Sequence, residues 1–283
     1  MSQIFRRILL ATERTEFDVG AERLALAMAL RCGQPLALVM PLTSNPEYEA
    51  VAPELAERGD RDAASRLAQL REQALAAGVE IDLTVRRGAE ADREIVEEAR
   101  ARTADLIVIR RRGRRSFVAH LLVGEMVGKV LAHAPCSVLV VPRDAGMWSR
   151  RVLLAAEPGE QGRRLVSMAT AVASECALPL SMVCVAGKAA AQRALAEAFV
   201  AEALRSAALA GVSADGEVLA GPPSAQILDS ARRHAADLIV MGVRSSGRIG
   251  RALFGGVAQQ VTGLSDCAVL LAHPAIPIKE TQP

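Results

Sequence analysis

The feature that most constrains this chain is that it repeats itself. Arg7-Ile8-Leu9-Leu10-Ala11-Thr12-Glu13 returns as Arg151-Val152-Leu153-Leu154-Ala155-Ala156-Glu157, a shift of 144 positions. The same shift carries Ala21, Leu24, Ala25, Met28, Ala29 and Cys32 onto Leu165, Met168, Ala169, Val172, Ala173 and Cys176, and Pro35 onto Pro179. The spacing i, i+3, i+4, i+7, i+8, i+11 places each series on one face of an α-helix. Further on, Asp105-Leu106-Ile107-Val108 returns as Asp237-Leu238-Ile239-Val240 with a shift of only 132. The chain is therefore two copies of one unit. The first copy carries about a dozen extra residues, and the Pro- and Glu-rich stretch from Thr43 to Asp62 is the expected insert, read as a loop with a short helix. Pro142 to Ser149 (PRDAGMWS) holds Pro and Gly without an apolar period and reads as the linker, dividing the chain into domains 1–143 and 144–283.

Units of roughly 140 residues are large enough to bury their own cores. Within each, the expected order is strand, helix, strand, helix, strand, helix, strand, helix, strand. The apolar runs Ile8 to Ala11, Leu36 to Met40 and Leu106 to Ile109 lack polar alternation, as strands covered on both faces do. Strands alternating with helices imply right-handed crossovers. The expected fold class is α/β, with two tandem doubly wound parallel-sheet, Rossmann-like domains. Hydrophobic residues make up 51% of the chain and aromatic ones 2%, so the cores must be built from Ala, Leu, Val and Ile. Ligands of such sheets sit beyond the carboxyl ends of the strands. That directs attention to Thr12 to Asp18, Pro41 to Ser44, Arg110 to Glu125 and their second-copy counterparts.

Other classes are disfavoured. Basic and acidic residues number 34 and 32 and are interspersed, unlike the one-sided basic surface of a nucleic-acid binder. Arg6 and Arg7 interrupt the opening apolar stretch, which is read as neither a signal peptide nor an export sequence. No apolar run approaches the roughly 20 residues of a bilayer span. Five cysteines without a CxxC pair suit a reducing, cytoplasmic location better than a disulfide scaffold.

Two segments carry a family resemblance. Ala132-His133-Ala134-Pro135-Cys136-Ser137-Val138-Leu139-Val140-Val141 and Asp237-Leu238-Ile239-Val240-Met241-Gly242 resemble the universal stress protein family. Its members open with an I-L-V-A strand followed by Asp, carry G-x-P-x-x-x-I before a helix, and continue through D-L-I-V-M-G into a nucleotide loop. That loop reads Gly, two residues, Gly, nine residues, Gly, then Ser or Thr. The resemblance implies a non-enzymatic stress-response protein related in fold to the adenine nucleotide α-hydrolases, with ATP or another adenine nucleotide, with Mg, as ligand. It also implies that the final strands, Val138 to Val141 and Ala268 to Ala272, pair the copies into an intramolecular pseudo-dimer, or pair two chains into a homodimer.

Glycines after a strand let amides approach a phosphate, and a following helix N-terminus adds N–H groups and positive potential. The second copy nearly keeps this loop. Gly242, Ser245, Ser246, Gly247, Arg248, Gly255 and Gly256 are its expected phosphate-side residues, with Ser245 in place of the second glycine and Gly256 in place of Ser or Thr. Glu157 stands where the family has Asp, and Val185 matches the strand end that lines the adenine site in relatives. A loop kept only for shape is the competing reading. In the first copy Arg110 replaces the first glycine, Glu125 replaces the final hydroxyl residue, and Pro41 occupies the place of Val185, all of which argue against ATP there.

Arg110 to Arg115 holds five arginines in six positions. It reads as a solvated loop balanced by Glu90, Glu94, Glu97 and Glu98, or as a dock for an acidic partner of a nucleotide-free scaffold. His133 and Cys136 offer only two metal ligands. Gly124 to Lys129 is one residue short of a P-loop. Cys32 and Cys176 read as small core residues. A hydrolase of the related class would need a Ser-Gly-Gly loop, whereas this chain has Glu13-Arg14-Thr15-Glu16 and Glu157-Pro158-Gly159-Glu160.

Overall fold

The computed structural model describes residues 4–13, 15–44, 51, 53–111, 125–245, 252–253 and 256–273. The first copy runs β1 (Ile8–Ala11), α1 (Val19–Cys32), β2 (Leu36–Thr43), α2 (Pro53–Ala76), β3 (Ile81–Gly88), α3 (Ala91–Ala101), β4 (Leu106–Arg110), α4 (Glu125–His133) and β5 (Ser137–Val141). The second runs β6 (Val152–Ala155), α5 (Glu160–Cys176), β7 (Leu180–Ala186), α6 (Ala190–Leu209), β8 (Ala214–Ala220), α7 (Pro223–Arg233) and β9 (Leu238–Gly242). After a small hairpin of β10 (Arg244–Ser245) and β11 (Ala252–Leu253) it ends in α8 (Val257–Leu264) and β12 (Ala268–Ala272).

Each half forms a parallel sheet in the order third, second, first, fourth, fifth strand, and the halves join in one ten-stranded sheet, β3-β2-β1-β4-β5-β12-β9-β6-β7-β8. The join is the antiparallel pair β5–β12, with Val140 opposite Val269, Leu139 opposite Leu270 and Val138 opposite Leu271. Both strands are buried throughout, in keeping with their continuous Val and Leu runs. Helices cover both faces: one core collects Leu10, Leu24, Met28, Leu154, Met168 and Phe199, the other Leu9, Ile95, Val130, Leu153, Ile239 and Val261.

The aspartate that opens each D-L-I-V run latches the segment entering the first strand. Asp105 accepts the amides of Arg6 and Arg7 at 2.9 and 3.1 Å. Asp237 accepts those of Ser149, Arg150 and Arg151 at 2.7, 3.0 and 3.1 Å. These carboxylates close backbone donors that would otherwise lack partners at the sheet's lower edge.

Three readings of the sequence need correction. The insert feeds a long helix: α2 extends from Pro53 to Ala76, so Pro53 to Asp62 is the start of a 24-residue element rather than a short one. The linker is docked on α1. Arg23 Nη2 donates to Ala145 O at 2.8 Å, the carbonyls of Pro142 and Arg143 leave no room for a side chain at Gly20, and Trp148 is buried with its indole N–H on Cys176 Sγ at 3.1 Å. Cys176 and Cys32 are accordingly half-buried at the end of their helices rather than in the core. Among the described residues no helix is long and apolar enough to cross a membrane.

Candidate functional site

At the carboxyl ends of β6, β7 and β9 the second half has a cleft of about 570 Å³, within the size range of small-molecule sites. Its walls are built from three strand ends and the helix starts beside them. Glu157 and Gly159 come from the turn between β6 and α5, Gln161 from the first turn of α5, Val183 and Val185 from β7, and Gly242 and Val243 from the end of β9 and the residue after it. Gly256, Val257 and Ala258, at the start of α8, close the fourth side. α8 begins at Gly256 with φ of 57°, a conformation that favours glycine, so no side chain stands at the cap where the helix meets the cleft. A helix start beside glycine backbone is a site for an anionic group.

Two close approaches hold the cleft's floor. Any side chain at Gly162 would strike Glu157 O and come within 2.7 Å of Phe199 Cζ. Gln161 Nε2 donates to Val243 O at 2.9 Å, tying the start of α5 to the end of β9. The polar side chains lining the cleft are those of Glu157, Glu160 and Gln161, and the start of α8 adds backbone, over an apolar base of Val183, Val185, Ile227 and Met241. Cys184 in β7 is buried, and burial followed by the Glu157 carboxylate pushes its thiol up to about 11, leaving no thiolate near neutral pH.

Of the residues singled out in the sequence, Glu157, Val185, Gly242 and Gly256 meet in this one cleft. Ser245 lies in β10, paired with Ala252 in a hairpin that periodicity did not foretell. Ser246, Gly247, Arg248 and Gly255 lie outside the described residues. Gln161, Pro223 and Ile227 line the cleft but were missed. Gly221-Pro222-Pro223-Ser224-Ala225-Gln226-Ile227 fits the G-x-P-x-x-x-I pattern and would have supplied the last two.

The first half handles the same place differently. Arg110, the counterpart of Gly242, turns back over the end of β1. Its Nη2 lies 2.6 Å from Glu13 Oε2 and its Nε 3.1 Å from Asp18 Oδ1. Its guanidinium carbon stands 5.9 Å from the centre of the Phe17 ring, which Arg143 approaches from 5.8 Å. Glu13 is the counterpart of Glu157, so the carboxylate that faces the second-half cleft is here ion-paired with the chain itself. Asp18 is buried and also accepts the Thr15 amide and hydroxyl at 2.8 and 2.6 Å.

The reading of Arg110 and Arg111 as solvated and balanced by nearby glutamates is therefore overturned. Arg111 crosses to the second half, donating from Nη1 to Ser265 O and toward Thr262 O at 3.5 Å. The glutamates serve other bases: Glu94 and Glu98 hold Arg86, Glu98 also holds Arg102, Glu97 holds Arg100, and Glu90 holds Arg93 and Lys129. Arg112 to Arg115 and Gly124 lie outside the described residues, and Glu125 pairs with Lys129 at 3.1 Å.

A Ser-His-Asp cluster that sequence order did not suggest lies at the opposite end of the second sheet. Ser181 Oγ is 2.7 Å from Asp215 Oδ1 and 3.2 Å from His234 Nδ1. Ser181 is 1% exposed and also accepts from Arg151 at 2.7 Å. It sits four residues, roughly 13 Å along a strand, from Val185. A hydroxyl so enclosed has no path to a substrate, and the cluster closes the sheet's lower edge. In the first half Arg102 does the same work, bonding Asp82 at 2.6 Å and Thr84 at 2.8 Å.

Comparison with known proteins follows the same duplication. Residues 4–142 and 149–273 each match the universal stress protein family model. Sixty residues are 38% identical to the stress response protein NhaX of Bacillus subtilis (strain 168), covering 20% of this chain and 36% of that one. Seventy-nine residues are 42% identical to a universal stress protein in the QAH/OAS sulfhydrylase 3′ region of Thermus aquaticus, covering 28% of this chain and 56% of that one. The matches thus span little more than half of the curated relatives' length at most. In fold, a universal stress protein from Archaeoglobus fulgidus DSM 4304 superposes with a TM-score of 0.78 over 95% of this chain and 96% of its own, at 18% identity. With both halves matched over nearly their whole length, the chain belongs to the universal stress protein family, as two tandem copies of its domain.

Proposed function

We propose that this protein is a non-enzymatic stress-response regulator or sensor that binds ATP or another adenine nucleotide, with Mg, in its second half only. The observation that carries this reading is the contrast at one position. Gly242 lines a cleft of about 570 Å³, whereas its counterpart Arg110 is ion-paired with Glu13 and Asp18. Val185 and Ile227 offer an apolar wall for a base. Glu157 suits ribose hydroxyls or a phosphate-bound metal, and the Gly256 end of α8 suits phosphates. The domains divide at residues 143 and 144. The halves act as an intramolecular pseudo-dimer, a reading supported by the β5–β12 pairing. The location is cytoplasmic.

The test is the small-molecule content of the purified protein. Acid release followed by mass spectrometry is expected to yield an adenine nucleotide. Nucleotide-free protein that also shows no heat on titration with millimolar Mg-ATP would defeat the reading.

A further inference from the structure

The two halves differ in what they lend each other. Arg111 follows β4 directly, and its amide continues the sheet by donating to Val141 O at 2.8 Å. Its side chain then leaves the first half and donates to Ser265 O and toward Thr262 O, at the carbonyl end of α8. Thr262 and Ser265 are each 1% exposed, so those carbonyls face little water. The last carbonyls of a helix have no partner within it and carry its negative partial charge, which a guanidinium satisfies on both counts. The counterpart of Arg111 is Val243, a buried apolar residue with no side-chain donor, so it cannot return the bond to α4.

A second contact runs the same way. The β11 segment, Ala252–Leu253, packs on α4 of the first half. Both ends of the segment that follows β9 therefore rest on the first half: its hairpin on α4, and α8 on Arg111. α8 has eight residues, a rod of roughly 12 Å, and its opposite end supplies Gly256, Val257 and Ala258 to the cleft. A rod this short carries any tilt at its carbonyl end to its amide end.

We infer that Arg111 is a positioning residue for the second-half cleft, supplied by the first half: it fixes α8 by its carbonyl end and thereby places the amides that meet the ligand. The first half, whose own site is taken up by Arg110, contributes to ligand binding as the support of its sister. This inference rests on the reading of the cleft as a nucleotide site.

The experiment compares full-length wild type, Arg111→Met and Arg111→Lys. Hydrogen exchange of the α8 amides is followed without nucleotide, and Mg-ATP affinity by calorimetry. Arg111→Met keeps the length of the side chain and removes its donors. It is expected to speed exchange in α8 and to weaken Mg-ATP by on the order of tenfold, as loss of a charge-assisted bond does. Arg111→Lys, which can still donate to helix-end carbonyls, is expected to recover most of both. Unchanged α8 exchange in Arg111→Met overturns the clamp. Faster exchange with unchanged affinity, or no recovery by lysine, overturns the positioning role. Wild-type protein that binds no Mg-ATP overturns the reading of the cleft itself, a result distinguishable because the exchange comparison needs no nucleotide.

Discussion

Arg110 Nη2 lies 2.6 Å from Glu13 Oε2, and the same two places in the second half hold Gly242 and Glu157, both facing the cleft. One duplicated scaffold thus has two outcomes. Where β9 ends in glycine, Gly242 and Glu157 line an open cleft; where β4 ends in arginine, the chain supplies its own cation. Asp18, buried beneath that cation, stands where the second half needs Gly162.

Arg110 should therefore matter more for stability than for binding. Arg110→Met removes the cation beside the buried Asp18 and the half-buried Glu13. Breaking such a pair leaves an uncompensated charge, and with part of the pair in contact with water a loss of about 1–3 kcal/mol is expected. Urea denaturation read by circular dichroism checks this. Nucleotide stoichiometry is expected to stay unchanged.

Gly162→Ala tests the floor of the cleft. The added Cβ meets Glu157 O, a backbone atom that cannot swing aside, and Phe199 Cζ at 2.7 Å. Overpacking of this kind costs about 1–3 kcal/mol, and the displaced Glu157 is expected to weaken nucleotide binding at least severalfold. A thermal midpoint and a titration on the same sample read the two effects separately.

Asp237→Ala should destabilise the protein without touching the ligand. It removes the acceptor of three amides at residues 149–151, on the side of the sheet away from the cleft. With the amides of Ser149 and Arg150 exposed to water, which can replace the lost acceptor, the loss is about 0.5–1.5 kcal/mol. Faster exchange at those amides, with unaltered Mg-ATP affinity, is the expected result.

Acid should loosen the first half through Glu98. Burial alone would raise its carboxyl, but hydrogen bonds from Arg102, Arg86 and Thr84 prevail and hold it below its ordinary value of 4.5. A carboxylate held low in the fold stabilises it above the unfolded value, and that contribution fades as pH falls through the folded value. Stability should decline as pH falls below about 4.5. Glu98→Gln should start less stable at pH 7 and show a shallower acid decline, measured as urea midpoints from pH 7 to 3.

The shared architecture could be read from residues because it rests on repeated, local signals. The stripes from Ala21 to Cys32 and from Leu165 to Cys176 follow the helical period. The apolar runs Ile8 to Ala11 and Leu106 to Ile109 are long enough for buried strands and too short for helices. Strand ends of a doubly wound sheet mark the segments that hold Glu157, Val185, Gly242 and Gly256, and the family resemblance singles out those residues within them. Contacts made by long side chains were not. Arg110 and Arg111 are neighbours in a run of like charge, yet one folds back 97 residues to Glu13 and the other crosses to Ser265. Periodicity records which face a residue occupies, not where a flexible guanidinium ends. Trp148, in a stretch without period, is buried for the same reason: tertiary contact decided its place.

The most direct measurement is the stoichiometry of Mg-ATP bound by the full-length chain, in wild type and in Gly242→Arg. The variant gives the second half the residue that occupies the first-half site, at a position where an added Cβ meets the flexible Gln161 side chain at 2.9 Å. One nucleotide per wild-type chain and none in the variant is the expected result. Two per chain, or one that survives Gly242→Arg in a folded protein, would contradict a single site in the second half.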